Sequence, residues 1–97
     1  MEKDMFEITI EDEIKTLYEA ILDEVYNKYT LYTKKFYEQP KFIKLPELLY
    51  MKLFHFQETL KEIYGRGLDI DFEHETLFEM FICETPSINF IDEIEVF

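Results

Sequence analysis

The pattern of apolar residues changes at the segment Gly65-Arg66-Gly67, which holds both glycines of this 97-residue chain. Before this segment, apolar residues recur at steps of three and four, the spacing of one face of an α-helix. After it, apolar and charged residues alternate, as is typical of a half-buried β-strand. The change predicts an α+β fold in which two amphipathic helices pack on a small, mostly antiparallel sheet formed largely by the C-terminal third.

The first helix is predicted to begin after Thr9, a candidate N-cap, and to continue to about Phe36. It must end before Pro40, because the residue that precedes a proline is disfavoured in the helical conformation. Residues 1–8 are compatible with a short strand or a loose arm.

The second helix is predicted to begin at Pro46, because proline is tolerated in the first helical turn. It should end at Gly65, since glycine readily adopts the left-handed conformation of a C-cap. Between the two helices, residues 41–45 form either a short strand or an extended linker.

Beyond the glycines, the sequence predicts several strands. Carboxylates at every second position of residues 69–75 predict a strand with one acidic face. Residues 77–83 and 93–97 are further predicted strands, with a turn within residues 85–87.

The composition indicates one globular domain spanning residues 1–97. Hydrophobic residues make up 47% of the chain, too many for intrinsic disorder. Ten Phe and seven Tyr are more than a small core readily hides, so some rings are expected at the surface as anchors for a partner. The alternative is that these large rings simply fill the core.

The single cysteine, Cys83, excludes an intramolecular disulfide and favours a reducing compartment. The N-terminus resembles no signal peptide, and no apolar run approaches the roughly 20 residues that span a bilayer. We therefore expect a soluble, cytoplasmic protein with no membrane partner.

The net charge of −12 is unevenly distributed. Residues 1–25 contribute −7, residues 26–66 contribute +4, and residues 67–97 contribute −9. This last segment contains no Lys or Arg. Such acidity repels the phosphate backbone of nucleic acids and attracts basic protein surfaces. We therefore expect a basic protein partner and no direct nucleic-acid ligand.

The sequence contains two candidate chemical sites. Residues 69–75 resemble the start of a calcium loop, but the glycine and glutamate that an EF-hand needs at positions 6 and 12 are His74 and Met80. Cys83 could be a nucleophile only with His55 or His74 as its base, and its apolar strand favours a buried structural cysteine. We therefore predict no metal, no cofactor and no enzymatic activity.

The basic middle of the chain has two interpretations. Its lysines could contact an acidic partner, or they could neutralise the acidic ends, within one molecule or across a dimer. We favour neutralisation because the acids outnumber the bases. The lysines concerned are Lys28, Lys34, Lys35, Lys41 and Lys44.

The C-terminal acids are the predicted partner-binding residues: Asp69, Asp71, Glu73, Glu75, Glu79, Glu84, Asp92, Glu93 and Glu95. In size and charge the chain resembles small acidic accessory proteins of bacteriophages and mobile elements. Some of those inhibit host enzymes by placing carboxylates where phosphates would lie. The resemblance implies a non-enzymatic inhibitor whose acidic face docks on a basic, nucleic-acid-binding surface of a host protein. The alternative function is a structural subunit that forms a homo-oligomer.

Overall fold

The computed structural model describes residues 10–86 and 91–97, with the side chains of Ile10 and Asp92 excepted. Over these residues it contains three helices and a mostly antiparallel sheet of five strands, which confirms the predicted α+β class. The helices are α1 (Ile10–Phe36), α2 (Glu47–His55) and α3 (Gln57–Tyr64). The strands are β1 (Phe42–Pro46), β2 (Ile70–Asp71), β3 (Thr76–Leu77), β4 (Met80–Thr85) and β5 (Glu95–Val96). The prediction for residues 1–8 and the Thr9 cap fall outside the described residues.

Helix α1 ends at Phe36, as predicted. Acidic side chains occupy its first turn and Lys34 and Lys35 its last, the arrangement that the helix dipole favours. Tyr37 then adopts a left-handed conformation, with φ of 58°, and its N–H donates to the Thr33 carbonyl. The buried face of α1 consists of Ile14, Tyr18, Ile21 and Val25.

The second predicted helix is two helices, because the chain leaves the helical conformation at Phe56, where φ is −106° and ψ is 25°. No glycine or proline marks this break. Phe54, His55 and Phe56 form a run of ring-bearing residues, which have low helix propensity, and the helix breaks at the end of that run. On either side of the break, Leu53 and Leu60 are both fully buried in the core.

Gly65 terminates α3, as predicted, and has a φ of 59°. A single 3₁₀ turn over Gly65–Gly67 leads to β2. Just before β2, the Asp69 N–H donates a 2.9 Å hydrogen bond to the hydroxyl of Tyr18 on α1. The Tyr18 hydroxyl oxygen, as the acceptor of this bond, ties the C-terminal third to α1. Burial raises the pKa of Tyr18 to about 12.

Strand β1 confirms the strand interpretation of residues 41–45 and lies inside the sheet, whose order is β2-β3-β4-β1-β5. It runs parallel to β4 and antiparallel to β5. The C-terminal third therefore supplies four of the five strands, and the middle of the chain supplies the one between β4 and β5.

The two faces of the sheet differ. On β1, Ile43 and Leu45 are fully buried in the same core cluster as the helices, whereas Phe42 and Lys44 are exposed. The register places Phe42 beside Phe81 of β4, and the Phe42 ring also stacks on Phe97 at 5.5 Å. We call this exposed trio, Phe42, Phe81 and Phe97, the open sheet face.

Two predicted strands have different bounds in the structure. The strand expected at 77–83 is interrupted by a two-residue turn, in which Phe78 and Glu79 both have positive φ, as tight hairpins of the I′ type require. Neither residue is among the usual turn formers, so the sequence does not predict this hairpin. The strand expected at 93–97 is shorter, because residues 91–93 form a 3₁₀ turn.

Candidate functional site

The C-terminal acids are solvent-exposed but do not share one face. All eight whose side chains are described are exposed, and the side chain of Asp92 lies outside the described set. They are distributed over β2, the turn after it, the β3–β4 hairpin, the end of β4 and the C-terminal segment. The predicted one-sided row of carboxylates is therefore wrong.

The error arises at residues 69–75, which form a strand only at Ile70–Asp71. The Asp71 carboxylate accepts hydrogen bonds from the backbone N–H groups of Glu73 and His74, which bends the chain into a turn. The His74 ring lies 2.7 Å from the same carboxylate, and this hydrogen bond lowers the pKa of Asp71 and raises that of His74. Asp71 is therefore a turn-forming residue.

An ion pair joins the basic middle to the acidic C-terminal segment within the molecule. Lys44 Nζ lies 3.8 Å from Glu95 Oε2 across the β1–β5 pair. The same ammonium lies 5.5 Å from the centre of the Phe97 ring, within the range of a cation–π contact. This pair agrees with the neutralisation hypothesis within a single molecule. Exposed pairs of this kind contribute little to stability.

A broad groove of about 800 Å³ follows the exposed side of α2. Its apolar stripe consists of Leu48, Met51 and Phe54, spaced three residues apart and each about half exposed, at 48%, 54% and 49%. The opposite side of α2 carries the buried residues Leu49 and Leu53. Helix α2 is thus apolar on both its core side and its solvent side.

Phe54 of the stripe belongs to an aromatic cluster that adjoins the groove. Tyr50 and Phe72 are largely buried, with ring centres 6.0 Å apart. The Phe54 ring meets Phe72 edge to face at 5.8 Å, so the exposed stripe is anchored to buried rings. Such aromatic clusters are rigid and present large contact areas to a partner.

Two of the predicted acids, Glu75 and Glu84, also line the groove. They come from different elements: Glu75 from the turn before β3, and Glu84 from the end of β4. Burial raises the pKa of the Tyr50 hydroxyl, and the negative charges of Glu75, Glu84 and Asp71 raise it further. We call this region, with its stripe and two carboxylates, the α2 groove. Lys52, His55 and Gln57 complete its polar lining.

Sequence reasoning missed the apolar half of this site. The apolar stripe that predicts the second helix is flanked by Leu48 and Tyr64 and consists of Leu49, Leu53, Phe56, Leu60 and Ile63. It accounts for the helix without Met51 and Phe54. The steps of three from Leu48 to Met51 and Phe54 form a second stripe, which was the available signal.

The cysteine and the histidines that were candidates for chemistry do not form a recognisable catalytic or metal site among the described residues. Cys83 is half-buried, whereas the sequence predicts a buried cysteine, and His55 and His74 are exposed. Among the described residues, no three His, Cys, Asp or Glu side chains come together as a metal site would require. Within the same residues, no helix combines the length and apolarity needed to cross a membrane.

Comparison with protein-family models, with curated proteins and with solved structures finds no match to this chain.

Proposed function

We propose that the protein is a non-enzymatic binding module whose acidic C-terminal surface docks on a basic surface of a partner protein. The observation that carries the proposal is the α2 groove, where Glu75 and Glu84 adjoin three exposed apolar side chains. Carboxylates steer and orient a basic partner, and apolar anchors supply affinity. A nucleic-acid-binding surface of a host enzyme is the basic surface that best fits a chain of net charge −12.

The supporting electrostatics are simple. Of the eight described C-terminal acids, Glu95 pairs with Lys44 and Asp71 is hydrogen-bonded to the His74 ring, and no other acid of this group forms an ion pair among the described residues. The side chains of the other six are exposed, and their like charges repel one another. A partner that brings positive charge would relieve this repulsion.

The test is affinity capture from a lysate of the source cells, repeated at increasing salt, with the captured protein identified by mass. We expect a basic partner whose retention falls steeply with salt and which duplex DNA displaces, since DNA would compete for the same basic surface. The triple variant Glu73→Lys, Glu75→Lys, Glu84→Lys should lose at least about tenfold in affinity, since about 1.4 kcal/mol corresponds to a factor of ten.

The matched control is Glu19→Lys, Asp23→Lys, Glu62→Lys, which changes the net charge equally at exposed positions on α1 and α3. It should retain most of the binding. Asp71 is left unchanged because its carboxylate holds a turn. Retention that is insensitive to salt, or equal losses in both triple variants, would refute the proposal.

A second candidate function, a homo-oligomeric assembly subunit, has one observation in its favour: the open sheet face. Phe42, Phe81 and Phe97 are 39%, 58% and 44% exposed and adjoin the Lys44–Glu95 pair, whose opposite charges could exchange across a two-fold axis. Light scattering should then give a dimer mass that Phe81→Lys reduces to that of a monomer. A monomer mass at every concentration excludes this assembly.

A further inference from the structure

We propose that the α2 groove binds an amphipathic helix of the partner, with the apolar side of that helix on Leu48, Met51 and Phe54 and its Lys or Arg side chains against Glu75 and Glu84. This inference rests on the proposed function and specifies the kind of segment that the same surface would recognise.

The shape of the apolar stripe favours a helix. Leu48, Met51 and Phe54 lie along one side of α2 and are about half exposed. In helix-in-groove recognition, an amphipathic guest helix lays its apolar face into a hydrophobic groove, and the groove along this stripe offers such a surface. Helix α2 has nine residues, which corresponds to about 13 Å at 1.5 Å per residue, so about two to three turns of a guest helix would be in contact.

The side chains of the stripe suit a helix with several apolar residues. Met51 is unbranched and flexible, so it can adapt to different apolar shapes. Phe54 is held by Phe72 and Tyr50 and supplies a rigid anchor beside it. The combination of one rigid ring and flexible neighbours is suited to an apolar helix face of varied sequence.

The negative charge of the groove favours a guest helix that is positively charged. Glu75 and Glu84 line it, close enough to act on the Tyr50 hydroxyl. Burial raises the pKa of that hydroxyl, and the negative charge of these two carboxylates raises it further. Lys52 is the one Lys or Arg in the described lining. With Glu75 and Glu84 in the lining and a net charge of −12 on the chain, an acidic helix would be repelled and a basic one attracted.

The experiment uses a synthetic peptide of about 18 residues that contains only Leu and Lys in an amphipathic helical order. Calorimetry should show binding to the purified full chain. A scrambled peptide of the same composition should bind at least about tenfold more weakly, because it presents no continuous apolar side. A peptide with Glu in place of Lys should not bind.

Two variants of the protein locate the site, each with a matched control. Met51→Asp should weaken binding at least about tenfold, whereas Leu31→Asp, at a similarly exposed apolar position on α1, should not. The pair Glu75→Gln, Glu84→Gln should weaken binding about tenfold, since two exposed ion pairs contribute about 1.4 kcal/mol. The pair Glu19→Gln, Glu62→Gln removes equal charge elsewhere and should have little effect.

Equal binding of the ordered and scrambled peptides, or equal effects of test and control variants, would overturn the groove inference. If the Leu–Lys peptide does not bind while the captured partner still depends on Glu73, Glu75 and Glu84, the groove inference is wrong and the proposed function survives. If neither ligand depends on those acids, both are wrong.

Discussion

Ile43→Ala is expected to lower the free energy of unfolding by about 2–5 kcal/mol, because it leaves a cavity that the surrounding structure only partly fills. Ile43 is fully buried on β1, between Ile82 of β4 and Val96 of β5. A domain of this size has a total stability of only about 5–15 kcal/mol, so one such cavity removes a large share of it. Urea denaturation followed by circular dichroism measures the change.

The next residue of the strand provides the control. Lys44 projects from the opposite, open side of the sheet, and its side chain is about half exposed. Lys44→Ala removes a surface ion pair and should cost less than about 1 kcal/mol. Similar losses for Ile43→Ala and Lys44→Ala would mean that both faces of β1 are covered, which contradicts the one-sided packing.

Gly65→Ala is expected to cost about 1–3 kcal/mol through backbone strain. Gly65 has a φ of 59° and a ψ of −127°, a combination that residues with a Cβ rarely adopt. A Cβ added there would meet no atom within 4 Å, so the loss would come from the backbone conformation and not from a clash. The same denaturation measurement gives the value.

Gly67→Ala is the matched control, two residues away in the same 3₁₀ turn. Its added Cβ also meets no neighbour, and its φ lies outside the left-handed region. This variant should be neutral within about 1 kcal/mol. Equal destabilisation by the two alanines would show that the turn does not depend on the left-handed residue at its start.

The helical half of the fold was predictable because its signals are local. Helix α1 is 27 residues long, carries an apolar stripe and is followed closely by Pro40, so its end at Phe36 was correctly predicted. Gly65 likewise marked the end of α3. The break at Phe56 could not be predicted, since no glycine or proline accompanies it and aromatic residues merely weaken a helix.

The sheet was harder to predict because strand pairing is non-local. Alternation at residues 69–75 suggested a strand, but the Asp71 carboxylate binds two backbone N–H groups and turns the chain instead. The parallel pairing of β1 with β4 joins residues about 40 positions apart, and no local pattern encodes it. The hairpin at Phe78 and Glu79 uses residues that are rare in such turns.

The acidity of the candidate site could be predicted from the sequence, whereas the groove that contains it is formed only by the tertiary fold. The acidity of the C-terminal third is a property of composition, and its exposure followed from the cost of burying charge. The meeting of Glu75 and Glu84 with the stripe of α2 depends on where β4 and the turn before β3 lie against the helix. Composition therefore predicts the negative charge of this surface, but it does not predict which residues meet in the groove.

The most direct test of the central claim is an NMR titration of the ¹⁵N-labelled protein with the amphipathic Leu–Lys peptide. We expect amide shift changes concentrated on α2 and on Glu75 and Glu84, with the amides of Phe42 and Phe81 unchanged. Changes that concentrate on the open sheet face, or that spread evenly over all exposed acids, would contradict binding at the α2 groove.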